Sequence, residues 1–397
     1  MLFVKVCNFT LQFAEVFDME IYLDNSATTR PYTEVVDTVC DIMNNCYGNP
    51  SSLHRMGKSA EDILTNARET IASTVFCTLD EIYFTSGGTE SDNIAILGYC
   101  LANHKRGKKV ITQKTEHKAV LESFSLLEKH GFEVVYLDVD ENGIVSSEKV
   151  KSNLDDKTIL VSIMAANNET GAIFPIDAIS SVIDHTKCAL HVDAVQLYGK
   201  EKINVKRLGI DMLTISSHKI HGPNGVGALF VRKGVRIEPL CVGGGQEKGL
   251  RSGTENVASV CGFATAAKIK FKNLDSSTAH IKGLRDRLIQ GISGMQNVVI
   301  NSPDNALYSI LNVSFVGVRS EVLLHVLESK GIYVSTGSAC NSKKSKFSYV
   351  LENMGVGADR GDSAIRFSFS EFNTEQEIDY CIDVLKKEVP ILQKIMR

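Results

Sequence analysis

From residue 59 the apolar positions keep two alternating rhythms. Within 59–75, Ile63, Leu64, Ala67, Ile71 and Val75 fall at helical spacing. The run EIYFT at 81–85 then reads as a short strand, and 90–104 as a helix. The alternation continues with a strand at 109–113, a helix at 117–130 and a strand at 133–137. TILVSIMA at 158–165 is continuously apolar, as expected of a strand covered on both faces. ALHVDA at 189–194, MLTIS at 212–216 and GALFVR at 227–232 follow as further strands. Strands alternating with helices of this length predict an α/β layer around a mostly parallel sheet, here of seven strands.

The texture changes near residue 275. A helix at 277–294, strands at 298–301 and 309–315, a helix at 320–330, a strand at 364–370 and a helix at 374–392 read as a smaller α+β unit. The expected organisation is a large domain over 29–275 and a small domain from 19–28 and 276–397. Residues 1–18 are read as an N-terminal extension of uncertain status. They are apolar, but Lys5 is their single basic residue and no small-residue cleavage site follows. Met19, directly before the regular pattern, reads as an alternative start.

Composition narrows the function. The 397 residues are 43% hydrophobic and 23% charged, which excludes a disordered or collagen-like chain. A net charge of −4 gives no reason to expect nucleic acid or an anionic membrane as partner. No apolar run reaches 18 residues, so no transmembrane helix is expected. Ten cysteines are present without a C-x-x-C pair. A chain of this size without a secretion signal is expected to keep them as reduced thiols in the cytoplasm, and no residue set is assigned to a metal.

Chemistry in such a sheet gathers at the carboxyl ends of strands. Four places stand out there. Thr85-Ser86-Gly87-Gly88-Thr89-Glu90 joins a strand to a helix, and its glycines and free N–H groups suit a phosphate, or simply a capped helix start. Asp193 ends an apolar strand and needs a cationic partner, from a ligand or from a salt bridge. Lys219 follows MLTIS within Ser216-Ser217-His218-Lys219, where a desolvated lysine serves as a Schiff-base nucleophile and an exposed one does nothing. Cys340 lies in GSACNSKKSK, where three lysines within six residues favour the thiolate. Cys100, Cys261 and Cys381, by contrast, sit in core-like contexts. A phosphate, a ring nitrogen and an aldehyde together describe pyridoxal phosphate. There is no Walker loop, and Gly243-Gly244-Gly245-Gln246 lacks the context of a dinucleotide fingerprint.

At this point the chain resembles a cysteine desulfurase of the NifS/IscS group, in the class V aminotransferase family with the fold type I of pyridoxal phosphate enzymes. IYLDNSATT, YGNPSSLH, FTSGGTESDN, TEHKAVL, NNETGAI, HVDAVQ, SSHKIHGPNGVG, GGGQEKGLRSGTENV, STGSACNS and IRFSF carry the likeness in order. The resemblance implies that L-cysteine is converted to L-alanine and its sulfur passed to Cys340 as a persulfide. By the same likeness, Lys219 holds the cofactor and later moves the Cα proton. Asp193 pairs with the ring nitrogen, Gln196 with the phenolic oxygen, and His117 stacks on the ring as an acid–base candidate. Gly88, Thr89, Ser216 and His218 hold the phosphate, with Thr254 reaching it across a homodimer interface. Asn168 sits by the cofactor oxygen and the substrate carboxylate, and Arg366 binds that carboxylate. A sulfur-acceptor protein is the implied partner, for iron–sulfur cluster assembly or thiolation. Departures from the family pattern are Asn224, and Ser370-Glu371 in place of a more basic pair. The family's longer C-terminal docking tail has no counterpart after Arg397.

Overall fold

The computed structural model describes residues 20–183, 186–336 and 347–396. Its strands, in chain order, are β1 (Ile21–Tyr22), β2 (Ile82–Thr85), β3 (Lys109–Gln113), β4 (Glu133–Leu137), β5 (Thr158–Ser162) and β6 (Ala189–Asp193). After these come β7 (Met212–Ser216), β8 (Gly227–Val231), β9 (Val298–Ile300), β10 (Ile310–Phe315), β11 (Ile332–Tyr333) and β12 (Ala364–Ser368).

Seven of them form one sheet in the order β2-β8-β7-β6-β5-β3-β4. All neighbours are parallel except β8, which is antiparallel to both β7 and β2. Residues of β5 to β8 are buried throughout, because helices cover both faces. Alternation divides their side chains between two cores: Val192, Leu213 and Phe230 face one, Leu160, Met212 and Leu229 the other. The crossovers leave the carboxyl ends of β2, β3, β5, β6 and β7 on one edge, where the site forms.

A second sheet, β12-β10-β9, is antiparallel, and β1 pairs with β11 in parallel. Ile21 and Leu23 pack there with Leu288, Phe315, Leu323, Phe367 and Leu385. Leu307, Ile310 and Ala364 join the larger core instead. The chain's first segment is thereby threaded back between the two sheets. Asn25 Nδ2 donates to Ser368 O at 2.9 Å, and Ser26 N donates to Ser368 Oγ at 2.8 Å.

Several elements differ from the sequence expectation. The strand predicted over 158–165 ends at Ser162, where the backbone turns into the site. The helix expected from 59 starts at Arg55, capped by His54, whose ring accepts from Gly57 N. The helix expected at 90–104 begins at Gly88 and contains a π-helical stretch, Ile94–Gly98. Helices Thr33–Asn45 and Val257–Lys272 were not predicted. The second is buried most of the way round, with the consecutive residues Val260, Cys261, Gly262 and Phe263 all buried, so it has no amphipathic period to read. Cys100, Cys188, Cys261 and Cys381 are buried, whereas Cys40 and Cys241 are exposed.

Candidate active site

A cavity of about 560 Å³ opens at the carboxyl edge of the sheet. Gly88, Thr89, His117, Asn168, Asp193, Gln196, Ser216, His218, Lys219 and Arg366 all line it, from eight separate places in the sequence.

The turn after β2 is shaped by glycine. Gly87 takes φ 150°, and a Cβ on Gly227 of β8 would lie 2.8 Å from Gly87 Cα. Gly88 then opens the helix, where a Cβ would meet Val195 Cγ2 at 2.9 Å. Glu90 holds the turn in place, accepting from Ser86 N and from Arg251 Nε at 3.0 Å. The N–H groups of Gly88 and Thr89 thus begin a helix at the cavity wall, as an anion requires.

Asp193 ends β6, and its Oδ1 accepts from Val195 N at 2.9 Å. Burial pushes its carboxyl upward, while nearby His117, the Val195 N–H and Lys219 pull it back toward the charged form. Asp92 and Glu116 are also fully buried, and burial together with the Asp193 charge drives both well above the usual carboxylate range. Of the three acids, Asp193 is the one with basic side chains, His117 and Lys219, opposing the effect of burial. His117 caps the helix Lys118–Lys129, its Nδ1 accepting from Ala119 N at 3.2 Å. Capping and lining the cavity are therefore one role and not alternatives. Burial lowers the His117 imidazole, so its neutral form is favoured.

Lys219 follows β7 in a short 3₁₀ turn and is directed inward. Its Nζ donates to Ser26 O and, at 2.8 Å, to Ala27 O. Burial, aided by the Arg366 charge, pushes its amine down to about 8, with Asp24 and Asp193 opposing. This is a desolvated lysine, not a solvated surface one. Beside it, burial and the Lys219 charge push His218 down to about 4.

Arg366 projects from β12. Its Nη2 reaches Asp24 Oδ1 at 2.6 Å, and Nη1 donates to Asn168 O at 3.0 Å. Five polar atoms from cavity-lining residues are buried without a hydrogen-bond partner among the described residues: Asp92 Oδ1, Asn168 Oδ1, Gln196 Oε1, Ser216 Oγ and Arg366 Nε. Orphaned groups are costly unless a ligand or water satisfies them. The set fits a ligand with an anionic group at the Gly88–Thr89 turn, a ring nitrogen at Asp193, an electrophilic carbon at Lys219 and a carboxylate at Arg366.

One predicted residue among the described ones is not in this cavity. Thr254 lines a neighbouring one of about 130 Å³ with Ser86, Glu247 and Arg251. Cys340 lies outside the described residues. The chain leaves the described region at Thr336, one residue past the cavity-lining Ser335, and re-enters at Phe347, two residues before the cavity-lining Tyr349. Ser335 is paired to Arg366 by backbone hydrogen bonds of 2.7 and 3.2 Å, and Ser348 Oγ donates to Glu169. Asp24, Ser26, Asp92, Glu169 and Tyr349 also line the cavity and were missed. Asp24 and Asp92 fall inside quoted motifs, but only their distant partners reveal a role.

A mostly parallel sheet that offers a buried lysine, a buried aspartate and a glycine turn opening a helix at one edge defines an enzyme built on the aminotransferase fold. Residues 21–381 match the model of aminotransferase class-V. The chain belongs to the class V aminotransferase family. It is 43% identical over 376 residues to a protein named cysteine desulfurase IscS from Methanosarcina thermophila, covering 94% of this chain and 92% of that one. It is 44% identical to a probable mitochondrial cysteine desulfurase of Dictyostelium discoideum, over 94% of this chain and 84% of the relative. A solved structure titled NifS-like protein superposes with a TM-score of 0.90 at 39% identity, covering 94% of this chain and all of that one.

Proposed function

We propose that the chain is a pyridoxal 5'-phosphate-dependent cysteine desulfurase that converts L-cysteine to L-alanine and takes the sulfur onto Cys340. The observation that carries this reading is the convergence of Lys219, Asp193 and Arg366 on one cavity whose buried polar atoms lack protein partners. Kinship with the named cysteine desulfurases supports it.

Gly88, Thr89, Ser216 and His218 would hold the phosphate, Asp193 the ring nitrogen and Gln196 the phenolic oxygen, with neutral His117 against the ring. When bound, the cofactor supplies an electron sink for carbanion chemistry at Cα. Lys219 offers its nitrogen to the cofactor's aldehyde carbon and afterwards moves the Cα proton. A depressed lysine is suited to both tasks at neutral pH. Arg366 and Asn168 orient the substrate carboxylate. The Cys340 thiolate attacks the substrate sulfur, so that an S–S bond forms as the substrate's C–S bond breaks. The persulfide then passes to an acceptor protein, for iron–sulfur cluster assembly or thiolation.

We further read 29–275 as the cofactor-binding unit, and 19–28 with 276–397 as the unit that supplies Arg366 and Cys340. The separate packing of Ile21 and Leu23 with Phe367 favours this division. A homodimer, with Thr254 reaching the partner's phosphate, accounts for the exposure of Met43, Tyr47, Leu53 and Val242. No described helix is long and apolar enough to cross a membrane. We place the enzyme in the cytoplasm, where Cys340 stays reduced; the mitochondrial setting named for the Dictyostelium relative meets the same need.

Mass spectrometry of the protein after addition of L-cysteine tests the whole reading. The expected result is a gain of one sulfur atom on the peptide holding Cys340. Alanine formation with that peptide unmodified would overturn it.

A further inference from the structure

The turn at 167–171, between β5 and the helix Ile176–Ile183, carries Asn168 to the cavity wall. Its shape is set locally. Asn167 Oδ1 accepts from Glu169 N at 2.9 Å and from Thr170 N at 3.0 Å, and Gly171 N donates to Asn167 O at 3.0 Å. Gly171 takes φ 76°, the left-handed conformation that glycine adopts without strain. Its place is set from outside. On one side Asn167 Nδ2 donates to Thr115 O at 3.0 Å, beside the large sheet. On the other, the carbonyls of Asn168, Glu169 and Gly171 accept from Arg366 Nη1 at 3.0 Å, Asn312 Nδ2 at 3.2 Å and Leu307 N at 2.7 Å.

Asn312 and Arg366 are opposite each other across β10 and β12, so both side chains leave the second sheet on the same face and reach successive carbonyls of the turn. Asn312 is buried, and the orientation of its amide is dictated from behind. Arg360 has donors alone, and its Nε lies 2.6 Å from Asn301 Oδ1. That directs Asn301 Nδ2 to Asn312 Oδ1 at 2.7 Å and to Ser314 Oγ at 2.7 Å. With its oxygen taken, Asn312 presents Nδ2 to Glu169 O. A flipped amide would set two oxygens against each other there. Asn168 Oδ1, by contrast, is buried without a hydrogen-bond partner among the described residues, so the backbone decides where it lies.

We propose that Asn312 is a positioning residue for Asn168. With Arg366 it clamps two successive peptide carbonyls, and so fixes where the Asn168 amide meets the cofactor and the substrate carboxylate. Arg360 acts one step further out, by choosing which end of the Asn312 amide faces the turn. Neither Asn312 nor Arg360 lines the cavity, so both act through the turn and not on a ligand. The residue that grips the substrate carboxylate and the residue that places Asn168 form one cross-strand pair, and any displacement of the second sheet moves the two together. The inference rests on Asn168 meeting the cofactor and substrate, as proposed above.

The test compares Asn312→Leu, Asn168→Ala and the double variant as holoenzymes. Leucine is of similar size, lacks the donor, and leaves Asn301 Nδ2 its second acceptor in Ser314 Oγ. Three quantities are read for each: the visible absorbance maximum of the bound cofactor, the equilibrium affinity for pyridoxal phosphate, and kcat/KM for L-cysteine per bound cofactor. Asn312→Leu should shift the maximum in the same direction as Asn168→Ala does. It should lower kcat/KM by about tenfold, short of the roughly 100-fold that a 1 Å displacement can cost. In the Asn168→Ala background most of both effects should vanish, because the group that Asn312 places is gone. A residue that merely supports the fold would lower stability alike in both backgrounds and leave the spectrum alone. If Asn312→Leu does not fold, Arg360→Met, at a partly exposed position, is read in the same way and should give a smaller effect of the same sign. A folded variant with spectrum and kcat/KM unchanged, or effects as large without Asn168 as with it, overturns the proposal. If Asn168→Ala itself changes neither quantity, the assignment of Asn168 to the cofactor and substrate fails instead.

Discussion

Replacement of Arg366 by glutamine is expected to slow cofactor capture as well as weaken substrate binding. The Arg366 guanidinium lies 2.6 Å from Asp24, and the two act on Lys219 with opposite sign: Arg366 pushes the amine down, Asp24 pushes it up. With the amine at about 8 and not the ordinary 10.5, about 9% is uncharged at pH 7, roughly 300-fold more than for a solvated lysine. Arg366→Gln removes the depressing cation and leaves Asp24 unpaired beside Lys219. Each unit of upward movement then removes about tenfold of the reactive amine. The assay is the rate at which apoprotein regains visible absorbance on mixing with pyridoxal phosphate, followed from pH 6 to 9. Wild-type rates should rise with pH and level off above about 8, and the variant's plateau should begin at higher pH. The double variant Arg366→Gln/Asp24→Asn should recover much of the capture rate at pH 7 while KM for L-cysteine stays high. Unchanged capture in the single variant, or no recovery in the double, would refute the electrostatic argument.

Three further outcomes are expected. Glu247→Gln should destabilise the fold by about 3–5 kcal/mol in chemical denaturation. It leaves buried Arg68 without the carboxylate that accepts two 2.7 Å hydrogen bonds, and combining it with Arg68→Met should cost less than the sum of the single changes. Gly88→Ala should weaken cofactor binding in an equilibrium titration, because the added methyl meets Val195 Cγ2 at 2.9 Å on the phosphate side of the cavity. Cys340→Ser should retain the visible band yet lose sulfide release from L-cysteine in the presence of a thiol reductant.

Much of the site was readable because it hangs on strand ends. Asp193 and Ser216 are the last residues of β6 and β7, and Lys219 follows three positions later, so period-two patterning alone brings them to the sheet edge. Arg366 is different. In sequence it is one polar residue in an alternating strand, and its place beside Lys219 depends on how the second sheet docks. Asp24 has no local signal at all, since its role comes from a partner 342 residues away. Helix Val257–Lys272 escaped for a related reason: a helix buried most of the way round loses the polar face that announces it.

The threading of the first segment against β12 also orders events in time. Lys219 is translated roughly 7 to 30 seconds before Ser368, at about 5–20 residues per second. Until that last strand leaves the ribosome, Ser26 N lacks its Ser368 acceptor and Asp24 its Arg366 partner, so the segment whose carbonyls accept from Lys219 is incompletely held. Cofactor loading is accordingly an act of the finished polypeptide. A nonsense codon between Thr254 and β12 would spare every phosphate-binding residue and still leave a chain unable to keep its cofactor.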